Sequence, residues 1–255
     1  MAGLFDTHCH LMATEYKENT KEIINKAITS GVSKMCAVGF DLESSQQAAT
    51  LATHYDEIYA IVGIHPTEVG RYNNDVINEI DSLANSNQVV AIGEIGLDYF
   101  HKQTSPDLQK EWFIKQINIA KKKDIPVSIH CREAYEDTYK ILKEHNVKKG
   151  LMHCYLGDLE TAKKFIELGF YISISGVITF KNAKSLQELV KNIPISKMLI
   201  ETDSPYLTPE PYRGEINFPS YVKYVAQKIA SLKNITTDEV IRITSSNANK
   251  LFNIK

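Results

Sequence analysis

LFDTHCH, residues 4–10, is the first apolar run of the chain, and it ends in a row of metal-type side chains. An open, doubly wound α/β sheet normally follows its first strand with a glycine-rich phosphate turn. Here the run ends in Asp6, Thr7, His8, Cys9 and His10, and the sequence has no GxGxxG. Seven more short runs rich in apolar and β-branched residues follow: VSKMCAVG (32–39), IYAIVGIH (58–65), QVVAIGEI (88–95), IPVSIH (125–130), KGLMHCY (149–155), FYISISG (170–176) and KMLIETD (197–203). Longer stretches with helical periodicity separate them. In 21–30 the apolar positions are Ile23, Ile24, Ala27 and Ile28; in 108–123 they are Phe113, Ile117 and Ala120. Asp158 is placed to cap a helix that ends at Gly169, and two helices near 219–232 and 236–250 close the chain. Eight strands alternating with helices require crossover connections and parallel pairing. In 255 residues, the expectation is one TIM-like (β/α)8 barrel, a single domain over residues 1–255, with an open sheet as the alternative.

In such a barrel the carboxyl ends of the strands converge on one face, where active sites form. The polar residues that finish the runs are His8, His10, His65, Glu94, His130, His153 and Asp203. Five of the eight histidines fall in this set; the other three are His54, His101 and His145. Burying Glu94 or Asp203 without a cation would be costly. His8, His10, Glu94, His130, His153 and Asp203 are therefore read as metal ligands. Alternation along a strand puts His8 and His10 on one face and Cys9 on the other. Cys131 and Cys154 are displaced by one residue from His130 and His153 in the same way. All three thiols are expected to be small buried apolar groups. Asp6 shares the face of His8 and His10 one layer deeper, where it is expected to support a ligand or fill a buried hydrogen bond. Six nitrogen and oxygen donors with a shareable carboxylate point to two divalent ions, with zinc and manganese both suited to the donor set. Two ions about 4 Å apart can hold the attacking and leaving oxygens of a phosphoryl displacement.

The composition is that of an ordinary globular chain: 43% hydrophobic, 24% charged, formal net charge −2. It carries no polybasic coat, so contact with nucleic acid has to come from a local site. No apolar run is long enough to span a bilayer, and no basic segment leads into an apolar one at the N-terminus. The four cysteines are accordingly expected to be reduced thiols in the cytoplasm. No membrane association and no obligate protein partner are expected.

The motifs DTHCHL (6–11), GIHPTE (63–68), GEIGLDY (93–99), HCREA (130–134), MHCYLGD (152–158) and ETDSPYL (201–207) resemble, in order and over most of the chain, those of the TatD family of metal-dependent deoxyribonucleases in the amidohydrolase superfamily. The resemblance implies that His8, His10 and Asp203 hold one ion, that His130 and His153 hold the other, and that Glu94 bridges them. It also implies hydrolysis of DNA phosphodiesters, with 3′ to 5′ exonuclease action on single-stranded DNA or 3′ ends. Magnesium or manganese would support activity, and zinc can occupy such sites. Glu94 and Asp203 are the expected catalytic pair, Asp203 accepting the proton of a metal-activated water. His65 and Arg132 are expected to steady the phosphate, and Tyr99, His101 and Arg213 to line the mouth. An amidohydrolase, or an aminoacyl-tRNA ester hydrolase using the same two-metal site, is the alternative. Many amidohydrolases bridge their metals with a carbamylated lysine, and the strand-four residue here is Glu94. The chain departs from the family pattern at Tyr155 and Leu156, and at Ile216 and Phe218, where an arginine and a glutamate are usual. Loss of that arginine bears on substrate grip, because phosphate contacts dominate nucleic-acid affinity. Phe218 is expected to pack against the final helices, with base stacking as its alternative.

Overall fold

A computed structural model describes residues 3–16 and 19–254, so residues 1, 2, 17, 18 and 255 of the expected domain lie outside the described residues. Among the described residues, strands and helices alternate: β1 (Leu4–Cys9), α1 (Thr20–Thr29), β2 (Val32–Val38), α2 (Leu42–His54), β3 (Ile58–Val62), α3 (Asp75–Leu83), β4 (Val89–Asp98), α4 (Pro106–Lys123), β5 (Val127–Arg132), α5 (Tyr135–Glu144), β6 (Gly150–Met152), α6 (Leu159–Glu167), β7 (Tyr171–Ile174), α7 (Lys184–Asn192), β8 (Met198–Ile200), α8 (Val222–Lys233) and α9 (Thr237–Phe252). The strands form one sheet in the order β1 to β8. Pairing is parallel in β3–β4, β4–β5, β5–β6 and β7–β8. The segment after β8 returns to β1 through a parallel bridge between Cys9 and Ser204. The Asp203 amide donates to the His8 carbonyl at 2.9 Å, and the His10 amide to the Ser204 carbonyl at 2.8 Å. This is the expected TIM-like (β/α)8 fold. No helix among the described residues is long and apolar enough to cross a membrane.

The chain gathers into two units. The first comprises Met1–Cys36, Cys154–Lys163 and Tyr171–Lys255; the second comprises Ala37–His153 and Lys164–Phe170. In the first, Phe5 of β1 meets Phe252 of α9 with ring centroids 5.9 Å apart, and Val225 and Ile229 of α8 are fully buried. Thr236 caps α9, its side chain accepting the Glu239 amide. In the second unit, Ile61, Ile92, Ile95 and Ile129 of the strands are buried, as are Phe113 and Ile117 of α4. The start of α4 follows from its sequence. Ser105 is the N-cap, Pro106 fills the first turn, and Asp107 faces the positive end of the helix. Three lysines, 121–123, sit in the last turn, and Asp124 ends the helix in the left-handed region at φ 53°.

Strand limits differ from the sequence reading at the places that matter for function. Glu94 and His130 lie inside β4 and β5 rather than at their ends. The ladder continues past both, through Gly96 opposite His130 and Asp98 opposite Arg132, and the Tyr99 amide still reaches the Arg132 carbonyl at 3.0 Å. By contrast β6 and β8 are only three residues long, so His153 and Asp203 stand on the segments that follow them.

Gly96 is what lets β4 and β5 approach here. Its φ is +145°, and a Cβ on it would lie 2.0 Å from the His130 carbonyl oxygen. Gly96→Ala should therefore destabilise the protein by about 2 kcal/mol or more. Urea unfolding should show a lower midpoint with an unchanged m-value; an unaltered midpoint would contradict this account of the β4–β5 contact.

Candidate metal centre

In the second unit, one carboxylate oxygen collects three imidazoles. Glu94 Oε1 lies 2.8 Å from His130 Nδ1, 3.3 Å from His153 Nε2 and 3.7 Å from His65 Nε2. Glu94 is 4% exposed. The donor atoms of Glu94, His130 and His153 lie within 4.8 Å of one another, as do those of His65, Asp98 and His130. All are nitrogen or oxygen, which fits a borderline or hard divalent ion and not a thiolate site.

Each of these side chains is held by local structure. The His65 amide donates to the Phe40 carbonyl at 2.7 Å. The Thr67 amide donates to His65 Nδ1 at 3.2 Å, so in the neutral ring the proton sits on Nε2, the nitrogen facing Glu94. Burial, reinforced by the nearby His130, lowers the His65 pKa to about 3, so the ring is neutral over the physiological range. The His153 amide donates to the Ile129 carbonyl at 3.0 Å. His130 is gripped on both sides, with Nδ1 on Glu94 and Nε2 3.0 Å from Asp98 Oδ2. Burial works against a charge on this ring, but the bonds to Asp98 and Glu94 outweigh it and raise the pKa. The raised pKa and the carboxylate on each side favour a proton on both nitrogens of His130.

Sequence reading missed Asp98. It is fully buried, and its carboxylate also receives the His101 amide at 2.8 Å and His101 Nδ1 at 2.9 Å. Burial pushes its pKa up, and the bonds from His130 and His101 more than reverse that, leaving it well below the usual carboxylate range. Two buried glutamines of α4, Gln109 and Gln116, were missed as well. Gln109 Oε1 accepts the Asp98 amide at 2.8 Å and its Nε2 donates to the Asp98 carbonyl at 2.9 Å. Gln116 does the same for Ile64, at 2.7 and 3.0 Å. The available signal was two glutamines seven residues apart on the apolar stripe of α4, where a buried amide needs full satisfaction.

In the first unit, Asp203 Oδ1 lies 3.3 Å from His10 Nε2 and 3.7 Å from His8 Nε2, and the two imidazole nitrogens are 3.3 Å apart. Asp203 has φ +55°, a left-handed conformation that aspartate tolerates better than most residues. Asp6 occupies the supporting position expected of it. Its carboxylate accepts the Thr202 amide at 2.9 Å, the Thr202 hydroxyl at 2.6 Å and the His8 amide at 3.4 Å. Burial nevertheless pushes its pKa up to about 8. Glu201 is a second missed carboxylate, fully buried. It accepts the Cys154 amide at 2.7 Å and the Ser173 hydroxyl at 2.6 Å.

The thiols stand outside both clusters. Cys9 Sγ is 3.3 Å from the Cys36 carbonyl, Cys131 Sγ is 3.3 Å from Thr138 Oγ1, and Cys154 Sγ is 3.3 Å from Ser175 Oγ. Cys9 is buried as expected, whereas Cys131 and Cys154 are only half-buried. The residues expected on the phosphate or at the mouth divide. Arg132 lies over the Phe100 ring and Arg213 over the Phe180 ring, at 3.8 and 4.1 Å. The Tyr99 hydroxyl is engaged instead by Asp137 of α5 at 2.6 Å. Phe218 packs near the first helix more than the last ones. It stacks on Tyr16 at 6.0 Å, with Lys26 Nζ 5.0 Å from its ring, and it also meets Tyr221.

Residues 5–253 match the family model described as TatD related DNase. The chain is 45% identical to an uncharacterized metal-dependent hydrolase of Bacillus subtilis, YabD, over 98% of this chain and 99% of that one. It is 37% identical to YcfH of Escherichia coli, also described as an uncharacterized metal-dependent hydrolase, over 98% and 96%. Among solved structures, a TatD homologue of Escherichia coli, YjjV, superposes with a TM-score of 0.94 at 27% identity, covering 99% of this chain and 98% of that one.

Two outcomes follow from the second-unit cluster. A divalent ion on His130 Nδ1 must replace a proton, so apparent affinity should rise about tenfold per pH unit until the pH passes the raised His130 pKa. Calorimetry in buffers of different ionisation enthalpy should register the released proton. Asp98→Asn should weaken ion binding about 10- to 100-fold in a competition titration against a chelating dye, with little change in unfolding midpoint. Unchanged affinity would show that Asp98 does not orient His130.

Proposed function

This chain belongs to the TatD family of metal-dependent hydrolases, and on that premise we propose that it hydrolyses the phosphodiester bonds of DNA, acting from 3′ to 5′ on single-stranded or 3′ ends. The observation that carries the reading is the convergence of His65, His130 and His153 on Glu94 Oε1. We assign Glu94, His130 and His153 to one divalent ion and His8, His10 and Asp203 to another. Magnesium or manganese is the working metal, with zinc accommodated by the same donors. When bound, such ions acidify water and offset negative charge on a phosphoryl group.

The remaining chemistry belongs to the side chains. Asp203 Oδ1 accepts the proton of the attacking water, a role supported by its carboxylate facing two imidazole nitrogens. His65, neutral and with its proton on Nε2, donates to a non-bridging phosphoryl oxygen. Asp98 keeps His130 in one orientation. Asp6 and the Thr202 segment hold Asp203 at the height of His8. The β4 position of the donor set is Glu94, a carboxylate, where many amidohydrolases use a carbamylated lysine.

Purified protein should contain or take up divalent metal and should degrade labelled single-stranded DNA, shortening it from the 3′ end. Chelator should abolish the reaction, and manganese or magnesium should restore it. Asp203→Ala should lower the rate about 10³-fold or more while leaving the far-ultraviolet spectrum unchanged. Full activity in chelator, or faster turnover of charged tRNA or a cyclic amide than of DNA, would overturn the assignment.

A further inference from the structure

Beside the second-unit cluster lies an exposed aromatic–guanidinium pair that the hydrolytic site leaves unused. Phe100 follows β4 and is 49% exposed, unusual for a phenylalanine. Arg132, the last residue of β5, is exposed too, and its guanidinium carbon sits 3.8 Å from the centroid of the Phe100 ring. The His101 ring meets the same phenylalanine edge-on at 5.0 Å. Arg132 stands two residues beyond His130 on the same strand, so both side chains face the same way, about 7 Å apart along the strand. The pair is also tied to the cluster through Asp98, which takes both His130 Nε2 and His101 Nδ1 on its Oδ2.

Arginine at a surface usually finds a carboxylate. Here two acids of the same region are engaged by other groups. Asp98 is engaged by His130 and His101, and Asp137 by the Tyr99 hydroxyl and by Lys110 Nζ at 2.6 Å. Among the described residues, Arg132 makes no ion pair. Its plane lies on an aromatic ring and its N–H edge stays available to a ligand. A plane that stacks and a cation with open donors, within one nucleotide's reach of a phosphate-cleaving cluster, match an unpaired base with its phosphate. Bases stack on both aromatic rings and guanidinium planes.

We propose that Phe100 and Arg132 form a nucleotide subsite, in which an unpaired base of the substrate strand stacks on the pair while the guanidinium edge holds a phosphate. This deepens the proposed function and rests on it for the identity of the ligand as a polynucleotide. The subsite gives the protein its preference for unpaired ends, because a base inside a duplex has no free face to offer.

The test separates binding from turnover. Anisotropy of a labelled single-stranded oligodeoxynucleotide is measured in chelator, with the full-length protein, and compared with the same strand carrying abasic 3′-terminal nucleotides. Wild type should bind the intact end about tenfold more tightly than the abasic end. Phe100→Ala should erase that ratio. Arg132→Ala should weaken both ligands and lower the salt slope by about one. Arg132→Lys should keep the salt slope and still lose the preference for a base. Thermal melting confirms that each variant is folded. Equal affinity of wild type for intact and abasic ends, no measurable binding of either, or an unchanged ratio in Phe100→Ala overturns the subsite. If metal-loaded wild type cleaves DNA while the ratio fails, the subsite falls and the nuclease reading stands. If the ratio holds and no DNA is cleaved, the nuclease reading falls alone.

Discussion

A carboxylate at 4% exposure has to be compensated, and the second unit is organised around doing so for Glu94. Three imidazoles reach its Oε1, and the carboxylates of Glu94 and Asp98 on either side of His130 favour its protonated form. A proton on His130 and a divalent cation are thus alternative answers to one electrostatic demand. The carboxylate–imidazole–carboxylate line also fixes which His130 nitrogen faces outward to Glu94 and which is backed by Asp98.

The first unit meets a related demand with hydrogen bonds. Asp6 accepts three donors, two of them from Thr202, and Glu201 accepts two more. These buried acids replace the ladder that β8, three residues long, does not supply. Asp203 keeps its left-handed turn because Asp6 and the β1 carbonyl at His8 hold the backbone on either side of it. Asn217 joins the same scaffold, its amide donating to the Thr202 and Tyr206 carbonyls, while the Tyr16 hydroxyl donates to its backbone oxygen.

What was legible in the sequence was whatever depended on period. Alternation separated His8 and His10 from Cys9 correctly, and the eight apolar runs became eight strands. Strand lengths were less legible: Gly96, Leu97 and Asp98 continue β4 through backbone pairing that side-chain pattern does not encode. The helix α2 was also obscure, because its buried face is Ser44, Ser45, Ala48, Ala49 and Ala52, small residues that let it lie close to the strands and give a weak apolar stripe. Asp98 and Glu201 went unread for a different reason. Each sits in a motif beside a more conspicuous candidate, and its hydrogen bonds to His130 or to the Cys154 and Ser173 segments are visible only in the fold. Arg132 was expected on the phosphate, but its stacking on Phe100 required the fold to be seen.

The glutamines of α4 have a consequence for how this architecture can change. Gln116 fixes the backbone just before His65, and Gln109 fixes that of Asp98, both from one rigid helix at a separation of seven residues, about 10 Å. The heights of these two functional segments are therefore set by helix pitch and not by the loops that join them. Within 66–74 and 99–105, the residues other than Thr67, Phe100, His101 and Ser105, which touch the site or cap α4, can then vary without shifting these two heights. A protein built this way can acquire new substrates by editing its rim while its hydrolytic floor stays where it is.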